Sequence, residues 1–188
     1  MSVAIFEHHE PWTEEEFLAL GETSDRIELF DGSLLVSPSP TPLHQHLSRL
    51  LANALEPAVE VAGLEIYLMV NVRLRPNRIP IPDLVITQPI DLTDPVIDVA
   101  DVELICEITS SNPGTDRIMK MNYYADAGIR WYLIVEPKAP TATLYRLDRE
   151  HYIEEAAAQP GQILHFAAPI QTDLDPAVLL PGRGRSGA

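Results

Sequence analysis

Asp83 and Glu107 are the residues whose type and context most suggest chemistry. Asp83 follows Pro82 at the head of the apolar run Leu84-Val85-Ile86-Thr87. Glu107 stands near the end of another, Val102-Glu103-Leu104-Ile105-Cys106-Glu107-Ile108-Thr109. Each run reads as a short strand, and hydrophobic pattern gives no reason for a carboxylate at its end. Two such strands side by side would bring the acids together, and converging carboxylates suit a divalent cation such as Mg²⁺, which takes oxygen ligands. Taken alone, each acid would more simply be a solvated strand-end residue, since charged side chains are mostly exposed. Against that, Glu107 leads into the polar stretch Ser110-Ser111-Asn112, and ligands gather where strands of open α/β sheets give way to loops.

Other candidates surround this pair in sequence. Lys120 lies one helical turn after Asp116, where an i, i+4 surface salt bridge would account for it; alternatively it faces the carboxylates and stabilises charge on a phosphoryl oxygen. Tyr124, on the same helical face, suits core packing better than hydrogen-bond donation. Glu28 sits inside the strand-like run Arg26-Ile27-Glu28-Leu29-Phe30. A carboxylate turned inward there would be costly unless paired or bound to a cation. His44 and Gln45 open a helix after a proline-rich loop, with His44 equally suited to solvent or to a phosphate or ligand-bound water, and His46 to the surface. Arg73, Arg75 and Arg78 cluster in one segment, and Arg117 with Lys120 lies close to the second strand.

The elements that must position these residues follow from pattern. Thr13 before three glutamates reads as the N-cap of a short helix running to Leu20. Asp31-Gly32 between two strand-like runs signals a hairpin, because a type I′ turn needs positive φ at both central residues. Leu47, Leu50, Leu51, Ala54, Leu55 and Ala58 recur on one face of a helix from Leu43 to Ala62, capped by Gly63 and kinked or split by Pro57. Strands are expected at Leu64–Val70, Val72–Leu74, Pro82–Thr87 and Val102–Thr109. A helix from Thr115 or Asp116 to Ala127 comes next, then strands at Ile129–Val135 and Ala142–Asp148. Beyond Tyr152 the pattern weakens, with Ile163–Phe166 the best strand. The order predicts an α/β (α+β) domain with a mixed central β-sheet flanked by helices. The expected organisation is an arm at 1–11, a single domain at 12–180 and a tail at 181–188.

The net charge of -15 argues against broad nucleic-acid binding, which depends on Lys and Arg neutralising phosphates, but leaves room for a local basic groove. Cys106 is the single cysteine, so neither an internal disulfide nor a cysteine-based metal site is expected. No apolar run approaches the roughly 18–20 residues of a membrane span, and the acidic N-terminus is unlike a signal peptide. The expectation is a cytoplasmic protein with no membrane partner.

These pieces together resemble a known family. Arg26 to Gly32, Ser37 to Gln45, Pro82 to Val85, Glu107 to Ser110, Asp116 to Lys120 and Tyr124 to Ile134 are similar, in order and spacing, to a large family of restriction-endonuclease-like proteins. By fold that family belongs to the PD-(D/E)xK phosphodiesterases. The resemblance covers roughly residues 12–150. It implies a restriction-endonuclease-like fold and metal-dependent hydrolysis of a phosphodiester, with DNA the expected substrate. Asp83 looks like the motif aspartate and Glu107 the second acid. Thr109 occupies the short motif's lysine position, and the nearer family displaces that lysine onto the next helix, here Lys120. Glu28 and His44 match additional site positions. On this reading Mg²⁺ (or Mn²⁺) would lie between Asp83, Glu107 and the backbone carbonyl of Ile108, while His44, Gln45, Arg73, Arg75 and Arg117 would face substrate. The fold also implies a homodimer or higher homo-oligomer. Competing readings are a non-catalytic binding module that retains the fold, and hydrolysis of a non-nucleic phosphodiester, which suits the acidic surface.

Overall fold

Alternating apolar residues on β6 (Leu84–Thr87), β8 (Val102–Ile108) and β9 (Trp131–Glu136) are buried on both faces of one sheet. A computed structural model describes residues 10–21, 23, 25–109 and 115–180, with the side chains of 115–117 outside that description. Residues 1–9, 22, 24, 110–114 and 181–188 therefore lie outside the described residues, and with them most of the expected arm and the expected tail.

The chain opens with α1 (Glu14–Ala19), then β1 (Arg26–Phe30), β2 (Ser33–Ser37) and α2 (Pro42–Val61). Next come β3 (Glu65–Tyr67), β4 (Val72–Arg73), β5 (Arg78–Ile79), β6, β7 (Ile97–Asp98) and β8. After α3 (Thr115–Asp126) and β9 follow β10 (Thr141–Asp148), β11 (His151–Ala158), β12 (Leu164–Phe166) and β13 (Thr172–Leu174). The central sheet has six strands in the order β11-β10-β9-β8-β6-β3. All its pairs are antiparallel except β8 with β9, which are parallel. Parallel neighbours need a crossover, and here it is α3. A second sheet, β2-β1-β5, carries the hairpin.

The two helices divide the sheet's faces. Leu47, Leu51, Leu55 and Val59 of α2 pack on Leu84, Ile86, Leu104, Cys106, Leu133 and Val135. Tyr124 of α3 packs with Val85, Ile105, Tyr132 and Ile134 of the opposite face. Because side chains alternate along a strand, Asp83 and Glu107 share the α3 face with Val85 and Ile105. The second sheet meets α3 through Phe30, stacked on Tyr123 at 5.4 Å, and through Arg78, whose guanidinium lies 3.7 Å above the same ring.

Local signals explain the element ends. Thr13 and Glu16 form a capping box at α1, and Thr41 caps α2 with Pro42 in its first turn. Asp31 and Gly32 have φ of 52° and 87°, as the hairpin requires. Past α2, Gly63 has φ 70°; its N–H donates to Glu60 O and that of Leu64 to Val59 O, a Schellman closure.

Three expectations need correction. α2 runs unbroken through Pro57, which is exposed, so water can take the carbonyl its ring leaves unbonded. The strands after α2 are shorter than their apolar runs. β11, eight residues long, lies where the pattern was weak.

Pro57 yields a prediction. Pro57→Ala restores a helix N–H and is expected to stabilise by about 1–3 kcal/mol, less about 0.4–1 kcal/mol for the freer unfolded chain. Urea unfolding checks the sign, and a lower midpoint would contradict it.

Candidate active site

The pairing of β6 with β8 sets Leu84 opposite Cys106. One step along each antiparallel strand, Asp83 faces Glu107. The second sheet adds Glu28: the N–H of Ile81, in the segment joining β5 to β6, donates to Glu28 Oε1 at 2.8 Å. From α3, Lys120 Nζ reaches Glu28 Oε1 at 2.9 Å and Glu107 Oε1 at 3.0 Å. Tyr124, one turn on, donates its hydroxyl to Glu107 Oε1 at 2.6 Å. Lys120 is therefore no surface lysine: only 8% of it is exposed. Tyr124 is both core and donor.

Asp83 is held on both oxygens. Oδ2 accepts from the Ile108 N–H at 2.7 Å and lies 3.0 Å from His44 Nε2, while Oδ1 accepts from Arg26 Nη1 at 3.1 Å. An ionised carboxylate requires the proton of His44 on Nε2. His44 sits in the first turn of α2, its backbone N–H on the Thr41 cap. Ser48, one turn later, donates to His44 O at 3.0 Å.

The electrostatics follow from burial and neighbours. Burial pushes the Asp83 carboxyl up, but the His44 hydrogen bond, the charge of Arg26 and the Ile108 N–H together hold it below its ordinary value. Burial pushes Glu107 up, helped by the charges of Asp83 and Glu28 and opposed by Lys120 and Arg26. For Lys120, burial favours the neutral amine, yet Glu107 and Glu28 outweigh it and the pKa rises. Tyr124 is pushed well up by burial and by Glu107, which keeps its hydroxyl a donor. Three carboxylates thus face two cations, Arg26 and Lys120.

The donor chemistry suits a hard divalent cation: every side-chain candidate offers oxygen, and the thiol of Cys106 belongs to the α2 face. No three metal-binding side chains among the described residues form a ready-made cluster. Lys120 and Arg26 stand among the carboxylates instead.

Four sequence-derived candidates, Glu28, Asp83, Glu107 and Lys120, are thus brought together, and His44 joins them. Gln45 is exposed at the start of α2 with no recorded tie to the cluster. The arginine segment is otherwise engaged. Arg73 pairs with Glu14 at 2.6 Å and Asp98 at 3.9 Å, and Arg75 with Asp31 at 2.7 Å. Arg78 pairs with Asp31 at 2.6 Å and Asp126 at 3.6 Å. The side chain of Arg117 lies outside the described residues. Arg26 had no role assigned from sequence, although its place two residues before Glu28 on one strand sets both on one face.

The sequence pattern of the Uma2 family, described as "Putative restriction endonuclease", matches residues 14–177. The chain belongs to the Uma2 family. No curated protein matches it. Its fold is similar to the crystal structure of a protein from Anabaena variabilis described as a "putative nuclease belonging to DUF820". The TM-score is 0.70 at 17% identity, covering 90% of this chain and 97% of that one. The Uma2 chain described above thus has the restriction-endonuclease-like fold that its motifs implied. Among the described residues, no helix is long and apolar enough to cross a membrane.

Proposed function

We propose that this Uma2-family chain is a divalent-metal-dependent phosphodiesterase that cuts nucleic acid, DNA foremost, as a cytoplasmic homodimer. One observation carries the reading: Glu28, Asp83, Glu107 and Lys120, from separate elements, converge through contacts of about 3 Å between Lys120 and two of the acids and through the Asp83–Glu107 register. Asp83, Glu107 and the carbonyl of Ile108 would hold Mg²⁺ or Mn²⁺, with Glu28 a further acid close by. When bound, the ion would polarise a phosphate oxygen and lower the pKa of a bound water.

The chain's own residues supply the rest. Lys120 keeps its proton against two carboxylates, so it serves as donor and counter-charge to phosphoryl oxygens and not as a base. His44 and the Ile108 N–H fix the orientation of Asp83, and Tyr124 fixes that of Glu107. Such supporting hydrogen bonds orient ligands before the substrate arrives.

Two observations favour a second reading, a small phosphodiester: the acidic balance of the chain, and the commitment of Arg73, Arg75 and Arg78 to carboxylates. The test is incubation of plasmid, single-stranded DNA and a chromogenic phosphodiester with Mg²⁺, Mn²⁺ or EDTA, beside Asp83→Asn. Cleavage should need the ion and fall by about 10²–10³-fold in the variant, the scale at which loss of charge-stabilising groups registers. Turnover unaffected by EDTA or by Asp83→Asn would refute the site. Turnover of the chromogenic ester alone would favour the second reading.

A further inference from the structure

Arg26 occupies the middle of the acidic cluster. Its Nη1 lies 3.1 Å from Asp83 Oδ1, and its Nη2 lies 3.7 Å from Glu28 Oε1 and 3.9 Å from Glu107 Oε2. Nη2 also donates to the carbonyl of Ile81. Only the Asp83 contact among the three acids has hydrogen-bond length; the other two are held by charge. Arg26 Nε is buried and has no hydrogen-bond partner among the described residues. A buried donor left unsatisfied costs free energy, so the carboxylates hold this placement against an incomplete hydrogen-bond set. Beside Arg26 opens a cleft of about 520 Å³, lined also by Asp25, Ile27, Pro40, Asn71 and Ile81. It gives the long side chain somewhere to turn.

The guanidinium and a divalent ion would want the same oxygens. Asp83 Oδ1 and Glu107 Oε2 face Arg26, while the other oxygen of each acid is engaged by Ile108 and His44, or by Lys120 and Tyr124. We propose that Arg26 is a displaceable internal counter-cation, which neutralises the three acids without metal and turns toward the cleft when the ion enters. This rests on the preceding reading of the carboxylates as metal ligands. Two cations a few ångströms apart repel strongly in a partly buried site, so the ion binds only against the resident guanidinium.

The experiment is a Mn²⁺ titration by calorimetry of the wild type, Arg26→Gln, Arg26→Lys and Asp83→Asn, with thermal melting as a fold control. Arg26→Gln should bind Mn²⁺ at least about tenfold more tightly, since one repelling charge is gone. Arg26→Lys should stay near wild type, and Asp83→Asn should lose binding. Independently of whether Arg26→Gln folds, the wild-type protein with ¹⁵N-arginine should show the Arg26 Nε–H resonance moving at the midpoint of a Mg²⁺ titration. Arg26→Gln binding no more tightly, or an Arg26 resonance unmoved at saturating Mg²⁺, overturns the counter-cation. If binding nevertheless depends on Asp83, the metal site itself stands. If no form binds Mn²⁺, both fall.

Discussion

Lys120→Met should destabilise the protein by about 3–5 kcal/mol, the usual consequence of removing one partner from a buried ion pair. The substitution keeps the aliphatic stem and removes only the charge that serves Glu28 and Glu107. Glu28 is 1% exposed, so water cannot easily take over. For a domain of this size, 1 kcal/mol moves the melting temperature by about 2–4 °C, and a drop of roughly 10 °C is expected. Adding Glu28→Gln removes one stranded charge and should return part of the loss. A double-mutant cycle over 28 and 120 is then expected to give a coupling above about 1 kcal/mol. On the proposed function cleavage should not return, because the charge assigned there to the phosphoryl group remains absent. A single-mutant loss below about 1 kcal/mol in urea unfolding would mean that the Lys120 bridge does not persist in solution.

Leu133→Ala is the second large effect. Leu133 lies in mid β9, with no exposure, between parallel β8 and antiparallel β10 and under α2. Such truncations cost about 2–5 kcal/mol, the spread reflecting how far the surroundings collapse into the hole. Flanking strands on both sides hold β9 in place, which favours the upper half of that range. Val61, by contrast, is 91% exposed at the end of α2, and Val61→Ala should change stability by less than about 0.5 kcal/mol. Equal losses at the two positions, read from denaturant midpoints, would contradict the assignment of α2 and its buried face.

The contrast between these aliphatic residues shows how legible the fold was. The apolar periodicity of α2 and the runs of β6 and β8 could be read directly, because burial on one face imposes a repeat on sequence. Thr13, Asp31-Gly32 and Gly63 were equally legible, since each answers a local backbone demand. β11 was not: Glu154, Glu155 and three alanines carry little strand preference, and the segment is extended because β10 offers it a ladder from His151 to Ala158, broken only by a bulge at Glu155. β5 is two residues long and takes its place in the second sheet through its register with β1, a non-local fact.

The candidate site divides along the same line. Asp83 and Glu107 stood out because a carboxylate beside an apolar run is anomalous; local context raised Glu28, His44 and Lys120 with alternatives open, and motif resemblance gave them site positions. The basic segment misled, because net charge counts arginines without their partners: Glu14, Asp31, Asp98 and Asp126 lie 25 to 59 residues from the arginines they serve, as the positions of Arg73, Arg75 and Arg78 in the chain give directly. Arg26 escaped notice for the complementary reason. A strand-end arginine looks ordinary until Asp83 and Glu107, from other segments, are found beside it together with Glu28 of its own strand.

The crossover that joins β8 to β9 through α3 has a consequence for how the protein matures. It delivers Glu107, Lys120 and Tyr124 from one stretch of chain, whereas Glu28 and Asp83 arrive from strands made much earlier in the sequence. Contacts between distant segments form late, since chain closure must precede their reward. The acidic constellation is therefore complete only when both sheets and the crossover are in place. A nascent chain that ends before α3 has its acids but neither of the helix-borne donors that hold Glu107, so assembly of the site coincides with completion of the fold.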